Sequence, residues 1–323
     1  MKKYKVKSPV LIIFYNRLDK TKNILENLLK SNNDFTNLYF SVDGPKNQKD
    51  NEKIQEVIGL LKNYKKKLNN VKIIVNENNL GLQQNIIKSI DHVLDINDTI
   101  IVLEDDHIAS PEFFSFCDHM LEKFRKDEKI FQISGSCYLP NEYKKDDIFF
   151  SKIPDCVGWA TWKNSWIKLK RSFSLYEIYK EKKIKNYYNN FSNTHWFYEY
   201  LYREHYAQEK KGLWSTWWQL TIIYEDGLSI NPMKNLVIHD GLEDRVDTEH
   251  YDKSNEIKKQ IRCENINLDK IRNLKVVYNK TLDNLNFKLI KKTDPVFKLK
   301  NRINWFLKFL IRIYRLKNKF VNL

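Results

Sequence analysis

Ile100-Ile101-Val102-Leu103-Glu104-Asp105-Asp106 runs four apolar residues straight into three carboxylates. A short apolar run of this kind reads as a buried strand. Three carboxylates at one point repel one another, so the cluster calls for a cation. Oxygen ligands select a hard ion such as Mg2+ or Mn2+. The bland alternative is an acidic turn in front of the helix that Pro111 opens.

Upstream, strand and helix signals alternate. Val10 to Tyr15, Leu38 to Val42, Val71 to Val75 and Thr99 to Leu103 read as strands, and Ile130 to Ser134 as a fifth. Between them, Asp19 to Leu29 has Ile24, Leu25, Leu28 and Leu29 at helical spacing, Glu52 to Leu61 is helical again, and Gly81 to Leu94 sets Leu82, Ile86, Ile90 and Val93 on one side. This alternation predicts an α/β fold: a mainly parallel sheet, right-handed crossovers and flanking helices. Ligands of such sheets lie beyond the carboxyl ends of the strands. Asn16-Arg17, Asp43-Gly44 and Glu104-Asp105-Asp106 all fall there. Singly, Arg17 could be a surface arginine and Asp43 a turn residue. Together at three strand ends, they read as a site.

From about residue 135 the character changes. Trp159, Trp162, Trp166, Trp196, Trp214, Trp217 and Trp218 cluster, and their rings suit either sugar stacking or a core. Lys234 to Val237 reads as a short strand returning to the sheet, followed by His239-Asp240-Gly241. From 254 to 292 there are only polar helix and strand fragments.

After Asp294-Pro295 the chain has eight basic residues and no acidic one. Ile303, Phe306, Leu307, Leu310, Ile313 and Tyr314 share one helical face, and Asn304, Lys308, Arg312, Arg315 and Lys319 the other. With Trp305 near its start, this basic amphipathic helix has the pattern of an interfacial membrane helix. A helix packed on the protein with a solvated basic face is the alternative.

The 323 residues carry 56 Lys and Arg against 41 Asp and Glu, a net charge of +15. Such a surplus points to polyanionic partners. It is concentrated at the C-terminus and no recognised nucleic-acid module accompanies it, so nucleic acid is not the expected partner. Cys117, Cys137, Cys156 and Cys263 show no CxxC spacing, and a reduced cytosolic compartment is the simplest expectation. The N-terminal apolar run is too short for a secretion signal, and no stretch reaches the roughly 20 apolar residues of a spanning helix. The expected location is cytoplasmic, peripheral at the inner face of the cell membrane.

The strand-plus-acid segment, followed by Ser110-Pro111-Glu112-Phe113-Phe114, resembles the metal-binding signature of glycosyltransferases of the GT-A (Rossmann-like) fold. It is similar to bacterial surface-polysaccharide sugar transferases and to the Golgi N-acetylglucosaminyltransferase that initiates complex N-glycans. Phe14-Tyr15-Asn16-Arg17, Ser41-Val42-Asp43-Gly44-Pro45, Asn78-Asn79-Leu80-Gly81-Leu82 and Gly158-Trp159-Ala160-Thr161-Trp162 agree in order. Asn235-Leu236-Val237, Gly241 and His250 match more loosely. The likeness covers about residues 8 to 250.

It implies an enzyme that moves a hexose or N-acetylhexosamine from a nucleotide-diphosphate donor, such as a UDP-sugar, to a hydroxyl of a glycan or lipid-linked acceptor, inverting the anomeric carbon. The setting would be surface polysaccharide or lipooligosaccharide synthesis. By the same resemblance Asn16, Arg17, Asp43, Gly81, Glu104, Asp105 and Trp159 would hold the donor. Asp106 would bind Mn2+ or Mg2+, with His239 and His250 able to complete the shell. Relatives carry an Asp where this chain has Ser215, in Trp214-Ser215-Thr216-Trp217-Trp218. A hydroxyl is a poor base, which leaves Asp240 and Asp155 as candidates to deprotonate the acceptor. The expected organisation is a donor half over 1–134, an acceptor half over 135–253, an extension over 254–293 and the membrane-associating helix over 294–323. A sugar nucleotidyltransferase, or a non-catalytic sugar- or nucleotide-binding protein of the same fold, is the alternative; the first lacks its usual Gly-rich phosphate loop.

Overall fold

The computed structural model describes residues 3–144, 146–171, 214–240, 266, 268–271, 276–283 and 285–286. Trp196, Gly241, His250, Cys263 and the helix expected over 294–323 lie outside the described residues.

The first half follows the sequence pattern: β1 (Tyr4–Val6), β2 (Val10–Phe14), α1 (Leu18–Lys30), β3 (Asn33–Phe35), β4 (Leu38–Val42), α2 (Gln48–Lys65), β5 (Val71–Val75), α3 (Gly81–Asp95) and β6 (Thr99–Glu104). Then come β7 (His107–Ala109), α4 (Pro111–Lys123), β8 (Ile130–Ser134), β9 (Ile148–Ser151), β10 (Trp159–Trp162), α5 (Lys163–Trp166), α6 (Trp214–Tyr224), β11 (Leu228–Pro232) and β12 (Val237–His239). α2 begins earlier than expected because the Asn47 side chain accepts the Asp50 N–H at 2.9 Å, a cap that saves an orphan donor of the first turn.

Eight strands form one sheet in the order β5-β4-β2-β6-β10-β8-β11-β9. The five strands read from sequence run parallel where they pair with one another, as do β8 and β11. β10 inserts antiparallel between β6 and β8, and β9 closes the edge antiparallel to β11, so the sheet is mixed. The strand that returns to the sheet is β11. The segment expected to do so yields β12, which pairs with β7 in a separate two-stranded sheet.

Strand alternation divides the core. Val10, Ile12 and Phe14 face α1, α2 and α4, whereas Leu11 and Ile13 face α3 and α6. β10 obeys the same two-residue period. Trp162 joins the first layer, its Nε1–H donating to Leu121 O at 3.0 Å, while Trp159 joins the second.

The weakly patterned region after 254 contributes a clamp on the sheet edge. Tyr278 bridges Phe150 of β9, and Asp283 accepts hydrogen bonds from the Ser151 hydroxyl and from Lys152 N–H at 2.9 Å. These contacts pair Phe150 O and Lys152 N–H, backbone groups at an outer strand that would otherwise lack a partner strand.

Candidate functional site

Register puts the site together. Ile13 lies beside Glu104 and Phe14 beside Val42, so the loops leaving β2, β4 and β6 emerge on one rim of the sheet.

The β4 loop meets the loop before α3. Asp43, only 4% exposed, accepts from Gly44 N at 2.9 Å, Leu80 N at 2.9 Å, Gly81 N at 3.0 Å and Asn79 Nδ2 at 3.0 Å. The approach is so close that a Cβ on Gly44 would lie 2.3 Å from the Asn78 carbonyl carbon. A carboxylate has about four lone-pair sites, and these donors fill them. Asp43 therefore shapes this loop rather than offering an open acceptor to a base or ribose, which corrects the role expected for it. Gly81 serves the same junction through its N–H.

The β2 loop is pinned by α2 and by β6. Tyr15 Oη and Asn16 Nδ2 donate to the Asp50 carboxylate at 2.7 and 2.8 Å. Arg17 reaches the acidic loop: its Nε and Nη2 engage Asp105, and Nη1 lies 2.9 Å from Asp106 Oδ2. The expected phosphate ligand is thus also the counterion that lets two carboxylates share a buried corner. Burial pushes the Asp105 carboxyl up to about 6, against Arg17, which holds it down. Burial works the same way on Asp106, but His239, His107 and Arg17 outweigh it and hold that carboxyl below its ordinary range.

β7 and β12 bring two histidines to Asp106. They pair antiparallel with His107 opposite His239, and Asp240 N–H closes onto Asp106 O at 2.7 Å. Nε2 of His239 lies 3.9 Å from Asp106 Oδ2, and Nε2 of His107 lies 3.7 Å from Asp106 Oδ1. Asp106 Oδ1 is buried and accepts no hydrogen bond. One side-chain atom from each of the three residues lies within 4.8 Å of the others. A buried oxygen with an unfilled lone pair beside imidazole nitrogen fits a divalent ion. Sequence reasoning placed Asp106 and His239 here and missed His107. Its signal is register across two three-residue strands, which no local periodicity carries. Glu104 stands half-buried at the end of β6.

Trp159 corrects the expectation that its ring lines the sugar pocket. It is 1% exposed, stacks on Trp214 at 5.3 Å and touches Trp166 and Trp218. The β10 period turns it into the α3 layer, where its area is worth more buried than exposed.

The two base candidates occupy different surroundings. Asp240 is held by Lys20 Nζ at 3.3 Å and Asn23 Nδ2 at 3.4 Å, both on α1. Asp155 lies in the loop before β10. Gln132 Nε2 donates to its carbonyl at 2.7 Å, its N–H donates to Ser134 Oγ at 3.2 Å, and Val157 N–H donates to its Oδ1 at 3.0 Å. Gln132 also accepts from Trp218 Nε1 at 2.6 Å, so a buried polar strip sets the height of this loop. Ser215 sits half-buried in the first turn of α6.

An α/β sheet with cationic and anionic side chains converging beyond its parallel strand ends is a ligand-handling architecture. Residues 10–179, more than half of the chain, match glycosyl transferase family 2, and the chain belongs to that family; its fold is of the GT-A kind. No curated protein matches it. Solved structures similar to it include the mannosyltransferase PcManGT from Pyrobaculum calidifontis in complex with GDP-Man and Mn2+, at 9% identity over 49% of this chain and 45% of that one, TM-score 0.32. S. aureus TarS 1-349 in complex with UDP shares 13% over 49% and 47%, TM-score 0.35. Glucosyl-3-phosphoglycerate synthase from Mycobacterium tuberculosis, in complex with Mn2+, UDP and glucosyl-3-phosphoglycerate, shares 12% over 50% and 57%, TM-score 0.30. The chain spans about half the length of these structures.

Proposed function

We propose that the protein is a metal-dependent glycosyltransferase that moves a sugar from a nucleotide-diphosphate donor to an acceptor hydroxyl. The observation that carries this is the meeting of Arg17, Asp105, Asp106 and His239 at the carboxyl rim, within a chain of this family.

Asp106 and His239 would hold the ion. A histidine in the set favours Mn2+ over Mg2+, which prefers all-oxygen shells. The ion, when bound, neutralises charge on the leaving diphosphate. Arg17 fixes the acidic loop and presents cationic charge to the phosphates. Asn16, Glu104 and the Asp43–Gly81 junction shape the donor side. Asp155 is the base we favour: the Gln132 strip braces its backbone and its carboxylate meets neutral donors, whereas the Asp240 carboxylate is ion-paired with Lys20. Direct attack by the deprotonated acceptor would invert the anomeric carbon.

A UDP-sugar, hexose or N-acetylhexosamine, is the donor we favour, with surface polysaccharide or lipooligosaccharide as the product; the likeness to the Golgi enzyme rests on motif order alone. A lipid-linked acceptor at an anionic inner leaflet would explain the basic pattern of residues 294–323. Deleting 295–323 should then release the protein from the membrane fraction; unchanged association would sink that link. Among the described residues no helix is long and apolar enough to cross a membrane.

The test of the reaction is calorimetric titration with UDP, with and without Mn2+, on wild type and Asp106→Ala. Manganese-dependent binding that the variant loses is expected. Binding indifferent to both ion and variant would overturn the metal reading.

A further inference from the structure

Three side chains approach one another at the Asp106 corner, but they are not equivalent. His107 is fully enclosed, at 2% exposure. Its Nδ1 receives two backbone donors, Glu104 N–H at 3.1 Å and Gly158 N–H at 3.3 Å. The second is built in by shape. Gly158 has φ +60°, and a Cβ there would lie 2.6 Å from Val237 Cγ2, so only glycine brings its N–H to this point.

A ring nitrogen that accepts N–H bonds carries no proton. In a neutral imidazole the proton then sits on the other nitrogen. That nitrogen, Nε2, faces Asp106 Oδ1 at 3.7 Å. A protonated Nε2 has no lone pair to give a metal. Its N–H dipole can only be aimed at the carboxylate.

We propose that His107 is a positioning residue and not a ligand. As the Nε2–H tautomer, locked by Glu104 and Gly158 N–H, it orients Asp106 so that the ion is taken by Asp106 and His239. Arg17 steadies Oδ2 and His107 steadies Oδ1 from the protein side, leaving the remaining Oδ1 lone pair for the ion. The inference rests on the metal reading above and assigns the roles within it.

The test uses the full-length protein labelled with 15N-histidine. Long-range proton–nitrogen spectra identify which nitrogen of each ring is protonated, and His107 is assigned by its absence in His107→Gln. Expected is a protonated Nε2 and bare Nδ1, unchanged when Zn2+, a diamagnetic stand-in, is added, while His239 shifts. Mn2+ affinity, read by electron paramagnetic resonance, should fall roughly 10–100-fold in His107→Leu, as for other groups that orient a ligand. His107→Gln, whose amide N–H can stand near the Nε2 position, should recover most of it. Tight Mn2+ binding with a His107 Nε2 that loses its proton to Zn2+ would overturn this inference alone and make His107 a ligand. Wild type that binds neither ion overturns the metal reading and the positioning role with it, whereas an Nδ1–H tautomer of His107 in a sample that does bind Mn2+ overturns the positioning role alone.

Discussion

Arg17 is the counterion of Asp105 and Asp106, and in the proposed reaction it is also the cation that meets the donor. Removing it in Arg17→Met leaves two buried carboxylates facing each other, and Asp105 then gains most by staying protonated. An acid raised on folding adds stability that is complete below its unfolded value and is lost as pH rises through the folded one. Arg17→Met should therefore destabilise more at pH 8 than at pH 5.5. After discounting for solvent at the half-exposed arginine, the cost at pH 8 is about 1–3 kcal/mol. Urea unfolding at the two pH values checks it, and an equal loss at both would show that Asp105 stays ionised without Arg17. The base assignment is also a matter of single residues. Asp155→Asn should lower kcat about 10²–10⁴-fold, with Asp240→Asn well short of that. The reverse ranking, in transfer assays with the donor that binds, would move the base to Asp240.

At the scale of elements, the strands Val10–Phe14, Leu38–Val42, Val71–Val75, Thr99–Glu104 and Ile130–Ser134 were legible because each is a short, mainly apolar run of strand length. Helix α3 was legible for the complementary reason. Its face of Ile86, Ile90 and Val93 repeats every three to four residues, and that face is buried. Ile90→Ala should accordingly cost about 2–5 kcal/mol in denaturant unfolding, by lost transfer energy plus a cavity against Trp-lined packing. What escaped the sequence is what depends on partners. β7 and β12 are too short to show a period, and β10 is recognisable only once Val102 and Ser134 flank it. Trp159 misled for the same reason, since composition cannot tell which face of an unplaced strand looks inward. Asp43 was legible at a strand end, yet not as a carboxylate whose lone pairs the loop before α3 would fill.

On the scale of the whole molecule, the segment around Asp283 reaches back to the far edge of the sheet. Burial pushes the Asp283 carboxyl from 3.8 up to about 6, against the hydrogen bonds from Ser151 and Lys152. Its contribution to stability is thus full below about 3.8 and declines as pH rises through 6. Asp283→Asn removes that titration. The melting temperature of wild type relative to the variant should fall between pH 4 and pH 7, and a constant difference would mean that folding does not raise this carboxyl.

The pairing of β7 with β12 has a further consequence, in time. On the proposed metal site, one ligand position follows the fourth strand of the parallel half, and the other arrives on β12. During synthesis the acidic corner leaves the ribosome long before His239 does. Until then Asp106 has Arg17 as its companion, and the ion has half a seat. On that reading an unfinished chain would be kept from trapping metal, and full affinity for the ion would report that the distant strand has docked.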